Sequence, residues 1–390
     1  MANQVYPLVM TAPPRHDDSG SFSFPADTAL PGWLGSLPAS WRPYAMLARL
    51  DRPVGIWLLY LPCVIGLAFQ RLSSGLFLTD LAWAALFFIG AAAMRGAGCT
   101  WNDITDRDFD AKVARTAQRP IPSGAVTVKQ AYMFLLAQLA AGFLVWLMLP
   151  GDAKITALLA LPLVAVYPYA KRVTWWPQAW LGLTFNWGVL VGAATASLIT
   201  GPVYVLYFGL GLWTIAYDTI YALQDREDDA LIGVRSTARL FGKQAVLISF
   251  GFHIGAAALI ALAAALNDAG RIGALAALAF LVHGLWQTMT LKTRGEAAAL
   301  GVFKSNVWAG GLIAIGFVLA ALIPEPAPKT IFADPEQVPP VKAESMTLPF
   351  GLEIRRKPEP KPDIWMAREI RRAMEIRGLD PDATETSRQR

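Results

Sequence analysis

The chain has 390 residues, of which 55% are hydrophobic and 16% charged, with a formal net charge of +5. A soluble domain carries about 25% charged residues, so this composition excludes an ordinary soluble globular fold. The 2 cysteines, Cys63 and Cys99, lie in apolar segments and exclude a disulfide framework, and the 3 histidines, His16, His253 and His283, have no metal-ligand spacing. The modest positive charge suits membrane topology, and no nucleic-acid partner is expected.

The opening residues are rich in Pro, Ser and Gly and lack a basic segment followed by an apolar core. They do not read as a cleaved leader, and residues 1–44 are expected to form a disordered arm.

Apolar runs then recur over 54–70, 80–98, 130–149, 155–170, 178–198, 203–222, 244–266, 272–291 and 306–323. Each approaches the ~20 residues that a membrane helix needs. The expected fold is therefore an all-α polytopic membrane protein, with nine transmembrane helices in residues 45–323. Lys and Arg concentrate in alternate loops, at Arg107, Lys112, Arg115, Arg119 and Lys129, at Lys171 and Arg172, at Arg226, Arg235, Arg239 and Lys243, and at Lys292, Arg294 and Lys304. The positive-inside rule makes those loops and the N-terminus cytoplasmic.

After residue 323 the composition changes, and 11 of the 27 prolines fall between Pro324 and Pro381. Residues 324–390 read as a Pro-rich tail. One stretch, "DIWMAREIRRAMEIRG", has Met366, Ile370, Ala373 and Met374 at helical spacing and could form a short amphipathic helix.

Two acidic motifs interrupt the apolar pattern. In "NDITDRDFD", Asn102, Asp106 and Asp110 are spaced four apart and line one helical face, with Asp103 rotated off it and Asp103 and Asp108 supporting or solvated. In "YDTIYALQDREDDALIG", Asp218, Tyr221, Asp225 and Asp229 also share a face. Both motifs sit at the cytoplasmic end of a long apolar helix, the second and the sixth. Stacked carboxylates repel one another unless a divalent cation sits among them, and Mg²⁺ takes one or two carboxylates together with substrate phosphates. Two such faces across a cavity could hold Mg²⁺ and a diphosphate. The competing reading is a pair of solvated helix ends neutralised by Arg107, Arg115 and Arg226. Arg52 in "RLDRPVG", Lys171 and Arg172 in "YPYAKR", and Arg115 and Arg119 supply cations suited to phosphate.

Three polar residues lie deeper. Arg95 precedes Asn102 by two turns, about 10 Å along the helix. Asp218 precedes Asp225 by the same interval, and Asn186 interrupts the fifth apolar run. Ionisable groups at that depth are candidates for function. Arg95 and Asp218 would either brace the bundle as an ion pair, or bind a substrate anion and a substrate hydroxyl.

At these residues the chain resembles the UbiA-type intramembrane aromatic prenyltransferases, through "RLDRPVGIWLLYLPC", "MRGAGCTWNDITDRDFDAKVARTAQRPIPSG", "YPYAKR" and "YDTIYALQDREDDALIGVRSTARLFG". The match is best to the branch that acts on 4-hydroxybenzoate in ubiquinone biosynthesis, and it covers residues 45 to 323. The resemblance implies a helical bundle around a central cavity open to the lipid bilayer. It implies transfer of a polyprenyl group from polyprenyl diphosphate to the ring carbon ortho to the hydroxyl of 4-hydroxybenzoate. By that resemblance Asn102, Asp106, Asp110, Asp225 and Asp229 would hold Mg²⁺ and diphosphate, with Arg115, Lys171 and Arg172 on phosphate oxygens. Arg95, Asn186 and Tyr221 would contact the aromatic acceptor, and Asp218 would orient it or take its proton. Tyr167, Tyr221 and Trp187 would wall an allylic cation. The expected setting is a bacterial inner membrane with the active site facing the cytoplasm.

Two rivals remain at this stage: a related prenyltransferase with another aromatic acceptor, and an ion-coupled transporter. The acids cluster at one membrane face and the sequence shows no clear repeat, which disfavours the transporter.

Overall fold

The computed structural model describes residues 32–111, 116–231, 233–323 and two short strands, with the side chains of residues 168, 171, 172, 228, 229 and 231 outside the description. The chain divides into two units, Met1–Pro326 and Ala327–Arg390. In the second unit Met346–Thr347 pairs antiparallel with Glu353–Ile354. The expected tail helix around Met366 lies outside the described residues.

The first unit is helical. In chain order its helices are α1 (Gly32–Gly35), α2 (Arg42–Leu47), α3 (Val54–Gln70), α4 (Leu78–Asp110), α5 (Val128–Met148), α6 (Gly151–Leu159), α7 (Leu161–Val173) and α8 (Pro177–Phe185). There follow α9 (Trp187–Ala196), α10 (Gly201–Ala222), α11 (Arg226–Leu231), α12 (Thr237–Phe241), α13 (Ala245–Leu266), α14 (Gly270–Arg294), α15 (Ala299–Lys304) and α16 (Asn306–Leu322).

Every apolar run falls on a helix, but the count of nine spans needs correcting. Among the described residues, 7 helices are long and apolar enough to cross a membrane, and α3 is a shorter apolar helix. The expected fourth span is divided between α6 and α7, because the helix yields just before Pro162. The fifth is divided between α8 and α9 at Asn186. The expected boundary at residue 45 also shifts. Leu34 and Leu47 are both fully buried, so α1 and α2 already belong to the packed unit.

The helix α4 runs without a break through the first acidic motif. Its 33 residues span about 50 Å, well beyond the ~30 Å hydrocarbon core of a bilayer. The length puts the C-terminal turns of α4, which carry Asn102 to Asp110, at the polar boundary. The second motif is less regular. The helix α10 ends at Ala222, a 3-10 turn covers Leu223–Asp225, and α11 starts at Arg226. Asp218, Tyr221, Asp225 and Asp229 are therefore not on one continuous helical face as the spacing suggested.

The main core joins α3, α9, α10, α13, α14 and α16 around Phe69, Trp213, Tyr217, Phe280 and Phe317. Small residues set how close these helices come. A Cβ at Gly192 or Gly66 would collide with backbone atoms of Cys63 and Val189 respectively, so α3 and α9 touch backbone to backbone. Some buried polar groups are paired across the bundle. Trp213 Nε1 donates to Asn306 Oδ1 at 2.8 Å, and Asn267 Nδ2 donates to the Phe69 carbonyl at 2.7 Å. Such pairing is required where no water can substitute.

Candidate active site

The helices enclose a cavity of about 1120 Å³. Its wall combines polar side chains with apolar ones, among the latter Phe87, Phe143, Trp146, Leu149 and Leu158. Asn102, Asp106 and Asp110 all line it, as the four-residue spacing predicted, and Asp225 and Tyr221 line it from the α10 side. The irregular turn after Ala222 thus still brings Asp225 to the cavity. Arg115 lies outside the described residues, as do the side chains of Lys171, Arg172 and Asp229.

Asp103 is in the same wall, fully buried, and not off to one side. It accepts two hydrogen bonds from Arg49 Nη2, at 2.7 Å to Oδ1 and 2.9 Å to Oδ2. Arg119 Nη1 reaches Asp103 Oδ1 at 3.4 Å and Asp110 Oδ2 at 2.7 Å. A chain of alternating charges, Arg49, Asp103, Arg119 and Asp110, therefore ties the end of α2 and the loop after α4 to the acidic helix. Burial works most strongly against the Arg49 cation, but the attractions of Asp103, Cys99 and Asp51 together outweigh it and hold the guanidinium above its ordinary value. Asp108, by contrast, is solvated, its side chain 78% exposed beside Arg107.

Asp51 follows on the same rim. Its side chain is 3% exposed; Oδ2 accepts from Arg52 Nε at 2.9 Å, and Oδ1 is buried with no hydrogen-bond partner. Arg52, Arg235 and Lys304 also line the cavity. The spacing of the acidic motifs pointed to none of Arg49, Asp51, Arg235 and Lys304. For the first two the signal was available in "RLDRPVG", where the pattern was read for Arg52 alone.

Deeper in the cavity lie Arg95, Asp218, Tyr167 and Tyr217. Arg95 packs over the Phe185 ring at 5.4 Å and directly against the backbone of Gly55, where any Cβ would collide with its guanidinium. No hydrogen bond joins Arg95 to Asp218, and Arg95 Nε is buried without a partner. The bracing ion pair is not formed; each group is presented to the cavity.

Asn186 is elsewhere. It does not line the cavity, and its Nδ2 donates to the Gly182 carbonyl at 2.8 Å, the Leu210 carbonyl at 3.0 Å and Thr214 Oγ1 at 2.7 Å. This corrects its expected acceptor contact. Asn186 thereby ties the α8–α9 break to Leu210 and Thr214 of α10.

Among the described residues no three His, Cys, Asp or Glu side chains close on a single point. A metal held by one or two carboxylates and completed by substrate phosphate needs no such cage. The oxygen-only donors and the orphaned Asp51 Oδ1 suit a hard divalent cation.

Carboxylates, cations and an apolar lining within a membrane bundle suit an intramembrane enzyme that handles an anionic group on an apolar chain. The chain matches the UbiA prenyltransferase family over residues 59–310, and it belongs to that family. It is 43% identical over 297 residues to the mitochondrial 4-hydroxybenzoate polyprenyltransferase of Mus musculus, covering 75% of this chain and 78% of the mouse protein. It is 42% identical to the Arabidopsis thaliana protein of the same name, over 73% of this chain and 70% of the relative. Among solved structures, a UbiA homolog from Aeropyrum pernix K1 superposes with a TM-score of 0.58 at 26% identity, covering 67% of this chain and 97% of that one. A UbiA homolog from Archaeoglobus fulgidus bound to GPP and Mg²⁺ shares the fold, with a TM-score of 0.55 at 15% identity over 72% of this chain and 100% of that one. The protein is an integral membrane prenyltransferase. Its relatives are mitochondrial by name, which runs against the bacterial placement expected from the sequence.

Proposed function

We propose that this chain transfers a polyprenyl group from polyprenyl diphosphate to the ring carbon ortho to the hydroxyl of 4-hydroxybenzoate, a step of ubiquinone biosynthesis. The observation that carries the reading is the two-level cavity. Asp106 and Asp225 line its polar rim, while Arg95, about three turns before Asp106 on α4, and Asp218, on α10 ahead of the 3-10 turn that carries Asp225, face the interior without pairing to each other. The names of the curated relatives support the same acceptor.

At the rim, Asn102, Asp106, Asp110, Asp225 and Asp229 would hold Mg²⁺, with Lys171, Arg172, Arg115 and the cavity-lining Arg52 on phosphate oxygens. Bound there, Mg²⁺ supplies positive charge to the diphosphate leaving group. The allylic C–O bond breaks toward this rim, and the diphosphate leaves as an anion. Tyr167, Tyr221 and Trp187 line the cavity and present aromatic faces to the allylic cation, each contact worth about 0.5–2 kcal/mol. The apolar wall keeps water from the cation.

Deeper, the Arg95 guanidinium meets the benzoate carboxylate. Asp218 faces the phenolic hydroxyl and takes its proton, which makes the ring more nucleophilic. The ortho carbon bonds the prenyl carbon and then loses its proton to the departed diphosphate, restoring aromaticity, and Asp218 returns the phenolic proton to the phenolate oxygen. The site lies at the membrane face that carries the Lys- and Arg-rich loops.

The test is a membrane assay with 4-hydroxybenzoate, an allylic diphosphate and Mg²⁺. Ortho-prenylated 4-hydroxybenzoate is the expected product. Product only with other phenolic acids would replace the acceptor, and no product with any of them would overturn the reading.

A further inference from the structure

Arg119 sits where a metal ligand is needed. Its Nη1 contacts Asp110 Oδ2 at 2.7 Å, so the guanidinium neutralises the carboxylate that the metal would share. A guanidinium in contact with that carboxylate repels a metal cation that would share it. The second Arg119 contact, to Asp103 Oδ1, is longer at 3.4 Å, and Asp103 is already engaged through both oxygens by Arg49. Asp103 can therefore lose Arg119 and stay paired. Of this group Arg119 has the most exposed side chain, 26% against 1% for Asp103 and 11% for Asp110, and it lines the cavity. It projects from a turn outside α4, where its backbone N–H donates to the Thr116 carbonyl at 2.9 Å. The carboxylates are fixed to the helix, and the guanidinium is the member that can move.

We propose that Arg119 is an exchange partner that couples diphosphate binding to metal binding. Without the prenyl donor it holds Asp110. When the diphosphate arrives, Arg119 transfers to a phosphate oxygen, which its fork matches, and Asp110 is released to the metal. Asp103 and Arg49 keep the guanidinium within reach throughout. The exchange rests on the metal–diphosphate reading above. It adds that the metal site is weak until the anion is present, so a divalent cation alone does not fill the rim with its charge unopposed.

The experiment uses the purified full chain in nanodiscs, Mn²⁺ as the metal and inorganic diphosphate as the anion. Bound Mn²⁺ is followed by electron paramagnetic resonance, which needs no turnover. In the unsubstituted protein Mn²⁺ alone binds weakly, and diphosphate tightens it. In Arg119→Gln, Mn²⁺ alone binds about tenfold tighter, because a cation in contact with Asp110 is gone, while the tightening by diphosphate shrinks. Arg119→Lys, which keeps the charge, stays near the unsubstituted protein. Unchanged or weaker Mn²⁺ binding in Arg119→Gln, with a melting temperature matching Arg119→Lys, overturns the exchange but leaves the metal–diphosphate reading standing. If Arg119→Gln melts early, the unsubstituted protein decides alone: Mn²⁺ binding that diphosphate fails to tighten overturns the exchange. Absence of Mn²⁺ binding with and without diphosphate in that protein overturns both.

Discussion

Arg49 and Asp103 form a two-oxygen ion pair made from a left-handed backbone position. Arg49 has φ 56°, in the turn that ends α2, where Leu50 N–H closes back on the Ala45 carbonyl at 2.9 Å. Glycine is the usual residue there. An arginine in that conformation persists because its guanidinium is fixed on a buried carboxylate, and the strain lies beside the reaction site.

This relationship predicts an order of stabilities. Arg49→Ala and Arg49→Gly both lose the Asp103 pair, but glycine relieves the backbone. Arg49→Gly should unfold later than Arg49→Ala, by about 1 kcal/mol. Asp103→Ala should be worse than Arg49→Gly, by roughly 3 kcal/mol against the unsubstituted protein, because it strands the half-buried Arg49 charge. Thermal melts in one detergent would check the order; equal melts for the alanine and glycine variants would remove the strain from the account.

The metal reading predicts loss of turnover in both Asp106→Asn and Asp225→Asn, with folding intact. EDTA should stop the reaction, and added Mg²⁺ should restore it. Turnover persisting in EDTA would contradict a metal-assisted departure of diphosphate.

Arg95 should divide the two substrates. Arg95→Ala is expected to raise KM for 4-hydroxybenzoate at least tenfold, the cost of a charge-assisted pair, with little change for the prenyl donor. Gly55→Ala should produce the same division without touching Arg95, since its Cβ would displace the guanidinium. Equal effects on both substrates would show that Arg95 holds the bundle and not the acceptor.

Asn186 should behave in the opposite way. Asn186→Ala removes the hydrogen bonds that tie the α8–α9 break to Leu210 and Thr214 of α10, at about 1–3 kcal/mol. The expected result is a lower melting temperature with KM for 4-hydroxybenzoate unchanged at permissive temperature. A selective KM effect would return Asn186 to the acceptor site.

Much of the molecule was legible before folding. Hydropathy placed the apolar helices because a bilayer requires long unbroken apolar runs. Helical spacing put Asn102, Asp106 and Asp110 on one wall because α4 is a single regular helix. The same rule overreached at Asp218 to Asp229, where the helix tightens to a 3-10 turn after Ala222. Depth alone misjudged Asn186, since a polar residue inside an apolar run looks alike whether it binds a ligand or ties one helix to another. Asp103 is expected from the spacing to be supporting or solvated; it is fully buried in the cavity wall, and its partner Arg49 lies 54 residues away, where no local pattern connects them.

The sequence by itself determined the membrane bundle and the two acidic motifs with their oxygen-ligand chemistry, because those depend on periodicity and composition along one helix. Only the tertiary structure decided which charges meet. It paired Arg49 with Asp103 and Arg119 with Asp110, left Arg95 and Asp218 unpaired to each other, and turned Asn186 away from the cavity. Those outcomes depend on how separate helices are packed, and electrostatic pairing acts over a few ångströms of space and not along the chain.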